Sequence, residues 1–291
     1  MEEKYSFFIE VADELDELTF EGFFGEDVRS LVKERDFLSQ EEYFVKILQG
    51  WNSDLEQYGK NTVKQYMIMF MDLYLNTIKI NPQKAIEILS AYWRGTEDNP
   101  ELAGISGYSE AVRYHVDAMN LLREFSQKEP RKLSEKKLIA SSFITSYSKS
   151  IEYIGQILVP CLQMAKLTNG IDENAVNLMG LTLYEKIQMF NRETSNKYVD
   201  LTKGINRNIR NADAHLSLRY VPSKDSLELK VRKGGKISLV LIPINKWILE
   251  IYPIPGWIIQ AYIYSGCLLC LGMINKQLFA EMYDQIFRDS K

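Results

Sequence analysis

The residues best able to do chemistry lie in Ile209-Arg-Asn-Ala-Asp-Ala-His215. Histidine takes and gives a proton near neutrality, and arginine presents a planar fork matched to a phosphate. An amide one turn before an imidazole can hold its orientation. On a helix Arg207, Asn211 and His215, spaced by four, share a face, and Arg210 is rotated about 100° from Asn211. Such a set suits phosphodiester chemistry. The same spacing also fits a structural role, with His215 favoured at a helix C-terminus by the dipole and Arg210 paired with Asp213 or Asp200. The other histidine, His115, sits mid-helix in Arg-Tyr-His-Val-Asp with no comparable constellation and reads as structural.

Charge around the motif bears on partners. Residues 203–236 carry nine basic and three acidic side chains, net +6, whereas residues 1–60 carry 16 acidic and 6 basic, net −10. The basic end can hold an anion, although solvated helix and hairpin faces carry charge for no functional reason as well. Lys203, Arg207 and Arg219 are the candidate phosphate contacts, and Tyr198 and Tyr220 are aromatics near enough in sequence to stack on single-stranded bases. Residues 1–60 could mask the basic segment or bind a basic partner.

Composition restricts the alternatives. Of 291 residues, 46% are hydrophobic and 25% charged, which suits a water-soluble globular protein and excludes a disordered tail. Three cysteines and two histidines do not supply the usual four-ligand zinc site unless carboxylates or a second subunit fill in. No metal site and no cofactor are expected. Phosphate-binding glycine loops, dinucleotide fingerprints and serine-nucleophile elbows do not occur. Cys161, Cys267 and Cys270 read as buried free thiols of a reducing compartment, and the acidic start Met-Glu-Glu-Lys gives no sign of export. A cytoplasmic address follows as an expectation.

The elements that must position the motif are mostly helices. Ser39 with Glu42 reads as a helix start ahead of Phe44, Ile47, Leu48 and Trp51. Asn81-Pro82 opens another helix that Gly95 stops, and Ser109 starts one reaching about Phe125. Tyr66, Met67, Met69, Met71 and Tyr74 read as core. Gln127–Lys132, with Pro130, divides an N-terminal helical region, 1–128, from a C-terminal unit, 134–291. There, a helix from Ser134 is expected to bend or end near Pro160. Another runs from Asp172 through Leu178, Leu181, Tyr184, Ile187 and Phe190. A third starts near Thr194 and buries Tyr198, Leu201, Ile205 and Ile209. After His215 the period becomes two, in Leu216–Val221, Ser226–Arg232 and Lys236–Leu241, a three-stranded antiparallel meander over about 216–242. Residues 251–275 carry no charge and are long enough to span a bilayer, but Pro253, Pro255, Gly256, Gln260 and Ser265 favour a buried helix.

Arg210-Asn-Ala-Asp-Ala-His215, closing an amphipathic helix within a helical bundle, resembles the signature of the HEPN superfamily, in which an arginine and a polar residue precede a histidine by a few positions. The resemblance covers about residues 134–216. It implies a mainly α protein with a HEPN-like bundle, and metal-independent endoribonuclease activity in a toxin or anti-phage, abortive-infection setting. RNA would be the substrate. The active site would be composed from two motifs across a homodimer or higher homo-oligomer, and an antitoxin or regulatory partner is possible. His215 would act in general acid–base catalysis on the ribose 2′-hydroxyl, Arg210 would stabilise charge on the phosphorane, and Asn211 would position His215. Ser217 stands where toxins silenced by a nucleotidyltransferase partner carry a tyrosine, so that mode of silencing is not carried over. The alternatives are a non-catalytic protein of this type that binds RNA or docks a partner, and a membrane-associated effector using 251–275.

Overall fold

The computed structural model describes residues 5–24, 26–54, 57–96, 98–127, 132–215, 217–233 and 235–288. Its helices are α1 (Ser6–Phe20), α2 (Glu26–Glu34), α3 (Gln40–Asp54), α4 (Gln57–Ile80), α5 (Pro82–Arg94), α6 (Ile105–Gln127), α7 (Leu133–Thr168), α8 (Ala175–Met179), α9 (Leu183–Glu193), α10 (Asp200–Lys203) and α11 (Arg207–Ala214). Strands β1 (Leu218–Val221), β2 (Ser226–Lys233) and β3 (Lys236–Pro243) follow, and then α12 (Ile244–Lys246), α13 (Pro253–Ile274) and α14 (Lys276–Phe287). The protein is mainly helical with one small antiparallel sheet.

Local chemistry explains several helix starts. Ser39 Oγ accepts the Glu42 N–H at 3.2 Å while Glu42 accepts the Ser39 N–H at 2.8 Å, a reciprocal cap that opens α3. Asn81 caps α5 through the Lys84 N–H at 3.0 Å, with Pro82 in the first turn and Gly95 closing it at φ +75°. Helix α6 begins at Ile105, four residues ahead of the expected Ser109. Met67, Met71 and Tyr74 are buried, as expected for core.

Three expectations for the helices need correction. Helix α7 does not end near Pro160 but runs on to Thr168. A mid-helix proline costs about 3 kcal/mol, and α7 offsets that by burying Leu158, Cys161, Leu162 and Ala165 around it. The helix expected from Asp172 is two, because Asn174 caps α8 and Thr182 with Glu185 forms a second capping box that restarts the chain as α9. The helix expected from Thr194 is broken as well. Ser195 and Asn196 adopt left-handed φ of 50° and 61° and turn the chain before α10 and α11. Tyr198, Leu201, Ile205 and Ile209 are nonetheless all buried, so the apolar periodicity read burial correctly across a backbone it described wrongly.

The sheet has order β1-β2-β3, with Leu218 opposite Leu229 and Leu227 opposite Ile242. Leu227, Leu229 and Ile242 sit in the core, and α11 lies against β1 and β2. Leu216, Gly234 and most of the proposed boundary, 128–131, lie outside the described residues. Buried side chains from both sides of that boundary, from Leu48 to Phe287, join one core. Within it α13 packs on α3, α4, α7 and α14. Pro253 and Pro255 fall in its first turn, where no helical hydrogen bond is lost. Ile258, Tyr262, Leu268 and Leu271 are buried, and Ser265 Oγ donates to the Met67 carbonyl at 3.3 Å. Residues 244–274 are also long and apolar enough to cross a membrane.

Candidate functional site

Helix α11 is anchored at its start by α7. The Asn206 N–H donates to the Tyr147 hydroxyl at 3.2 Å, and the Asn206 side chain accepts the Asn208 N–H at 3.2 Å. Tyr147 is buried against Trp247, which pushes its phenol up to about 12 and keeps it a neutral hydrogen-bonding partner. Ile209 and Ala212 turn inward, while Asn211 and His215 stand exposed. A two-turn helix on the rim of α7 thus presents its C-terminal end to solvent.

Arg210 does not pair with Asp213 or Asp200. Its Nε donates to the Glu152 carboxylate on α7, and its Nη1 donates to Asn211 Oδ1 at 3.1 Å. Two acceptors therefore hold the guanidinium in one plane and leave its remaining N–H groups for a further anion. The Asn211 amide oxygen serves Arg210, and the link from Asn211 to His215 is backbone only, His215 N–H to Asn211 carbonyl at 3.0 Å. His215 is the residue that ends α11, with φ −100° and ψ 14°. That placement matches the helix-terminal position that the dipole argument describes, and it leaves His215 exposed, five positions beyond Arg210.

The other candidates disperse. Arg219 lies opposite Glu228 in the sheet and binds it through Nε at 2.8 Å and Nη2 at 2.6 Å. Lys203 pairs with Asp200 at 2.5 Å and stays exposed. Tyr220 is half-buried, donates to Asp225 at 2.7 Å, and has its phenol pushed up to about 12 by burial and by that carboxylate. Tyr198 is corrected outright. It is buried and donates to Asp72 at 2.7 Å, so it offers no face to a base. The Arg207 side chain lies outside the described residues, while its backbone starts α11. The +6 count over 203–236 overstates the local charge, because the fold brings in Glu152 and Asp200 from outside that segment.

Sequence reasoning missed Glu152, although a signal was present: it is the sole charged residue between Ile151 and Ala165. It also missed Lys186, which is buried on α9 and donates to the Gly155 carbonyl at 3.1 Å. Burial lowers the Lys186 ammonium pKa, and Glu152 nearby opposes that shift. Glu152 therefore acts on two cations, Arg210 of α11 and Lys186 of α9.

His115 is held away from the motif, with Nδ1 3.0 Å from the Tyr252 hydroxyl and its ring stacked on that tyrosine. Cys161 is buried, Cys267 half-buried and Cys270 exposed, so the expectation of three buried thiols fails at Cys270. Among the described residues no group of three or more His, Cys, Asp and Glu side chains is placed to hold a metal ion. No protein-family model, curated protein or solved structure matches the chain.

Proposed function

We propose that the protein is a metal-independent endoribonuclease of HEPN-like type, with His215 as the proton-transferring group and Arg210 as the phosphate-binding group. The observation that carries this reading is that one short helix, α11, bears a guanidinium held by Glu152 and Asn211 and, at its C-terminal end, an exposed histidine. A held planar fork can accept the charge that builds on a phosphorane. His215 would take the proton of the substrate's 2′-hydroxyl as that oxygen attacks the adjacent phosphorus. The 5′-oxygen of the next nucleotide would leave with a proton, giving a 2′,3′-cyclic phosphate and a 5′-hydroxyl. One imidazole cannot give and take both protons in the same instant, which is the chemical reason for proposing a second copy at the site. A toxin or anti-phage setting and a cytoplasmic address belong to the same proposal, as does an antitoxin or regulatory partner.

The test compares RNA cleavage by wild type and His215→Ala in excess EDTA, with end-group analysis. Cleavage by wild type alone, leaving cyclic phosphate and 5′-hydroxyl ends, is expected. Loss of wild-type activity in EDTA, or 5′-phosphate products, overturns the reading. The ion pairs of Arg210, Arg219 and Lys203 support a second reading, a non-catalytic protein that binds RNA or docks a partner through this surface. Wild type that binds RNA and leaves it intact establishes that alternative.

A further inference from the structure

Strand β3 is at the edge of the sheet, and among the described residues its outer edge has no neighbouring strand. Edge strands are ordinarily shortened, bulged, or interrupted by charge or proline, because their free N–H and C=O groups invite another strand. Here Lys236 and Pro243 stand only at the two ends, and Ile237-Ser-Leu-Val-Leu-Ile242 between them carries no charge, glycine or proline. Ile237 is 70% exposed, Leu239 60%, Val240 41% and Leu241 44%. In the π-helical segment Trp247–Ile251 after α12, Leu249 is 55% exposed and Ile248 38%. Aliphatic side chains gathered in this way on one strand are costly to leave in water.

We propose that this edge is a homotypic interface, in which β3 pairs antiparallel with β3 of a second copy and joins two sheets into one of six strands. Symmetry makes the second copy the fitting occupant. A two-fold axis perpendicular to the sheet maps its outer face onto itself and must pass through a residue. An axis through Leu239 sets Leu239 against its own copy and Ile237 against Leu241 of the second chain, a continuous aliphatic row on the outer face. Lys236 then lies opposite Ile242 of the other copy, so no like charges face each other. An axis one residue on would waste Ile237 against Pro243. Pairing would satisfy the free N–H and C=O groups of both edges and cover part of the exposed Ile237, Leu239 and Leu241 side chains of each copy.

This contact is distinct from the meeting of two motifs proposed above. Five strand spacings separate β1 from β1 of the second copy, roughly 24 Å, so the seam leaves the two His215 residues apart. A chain using both contacts assembles beyond a dimer. The proposal does not depend on nuclease activity, and its measurements read mass and cross-linking alone.

Light scattering on size-exclusion peaks should give at least twice the chain mass for wild type, and half the wild-type mass for Leu239→Lys, with helical circular dichroism unchanged. Should Leu239→Lys fail to fold, Leu241→Lys on the same row serves. Leu239→Cys in a Cys270→Ser background should form a disulfide-linked dimer under mild oxidation, since an axis through residue 239 brings the two Cα atoms within disulfide range. The Cys270→Ser parent should not. A monomeric wild type overturns the proposal, whether or not it floats with phosphatidylcholine–phosphatidylserine vesicles. Unchanged mass in a folded lysine variant overturns it also, as does absence of the cross-link.

Discussion

Arg210 and His215 are borne by one short helix, yet they are held differently, and that difference sets what each substitution should do. Arg210 is tied to Glu152 and Asn211, whereas His215 sits exposed at the helix end. Substituting an exposed helix-end residue shifts stability by about 0.5 kcal/mol or less, so His215→Ala should melt near wild type while cleavage falls to background. Arg210→Lys keeps the charge but loses the planar fork that meets Glu152 and that the proposed reaction needs for a phosphate, and cleavage should drop at least ~10-fold. Collapse of both variants in circular dichroism would show that the motif is architecture. Lys186 supplies a stability prediction with a definite sign. Burial lowers its folded-state pKa below the ordinary 10.5, so the unfolded chain binds more protons between the two values and wild-type stability rises with pH there. Lys186→Met, which removes a buried ammonium while keeping its volume, should be more stable than wild type at pH 7 by about 1 kcal/mol. That gain should shrink as pH climbs towards 10.5. A gain that is flat from pH 7 to 10 would contradict it.

At the scale of elements, α11 depends on its cap more than on its length. A helix of eight residues does not persist alone, and Asn206 secures it by capping Asn208 and donating its own N–H to Tyr147. Asn206→Ala should cost about 1 kcal/mol, read as a lower melting temperature, and should reduce cleavage more than Thr182→Ala, which removes a cap of similar strength from α9. Equal activity in the two variants would separate the position of α11 from function. Apolar periodicity made burial legible in this region: Tyr198, Leu201, Ile205 and Ile209 all lie inside. The breaks were harder to see, since Ser195 and Asn196 adopt left-handed φ without any glycine to announce it. The meander was legible because alternation reports one buried face, and Leu227, Leu229 and Ile242 are buried on it.

For the molecule as a whole, α7 and α13 carry the core, and α13 tests the reading of residues 251–275. Its buried Tyr262 meets Phe70 and Tyr92 edge-on, at 5.4 and 5.2 Å between ring centroids. Tyr262→Ala should therefore destabilise the fold by about 3–5 kcal/mol, measured by denaturant unfolding of protein purified without detergent. Recovery of wild type only from membranes would contradict a core role for α13.

By itself the amino-acid sequence determined the helical class, the caps at Ser39 and Asn81 and the three-stranded meander. These follow from periodicity, capping chemistry and turn residues within a few positions of one another. Tertiary structure alone decided that Glu152, not Asp213 or Asp200, takes Arg210, that Tyr198 is committed to Asp72, and that α7 continues through Pro160. It also decided that β3 is left at the sheet edge with its aliphatic side chains in water. Each of these depends on which distant surface a residue meets, and local propensity, which is summed over near neighbours, carries no information about that.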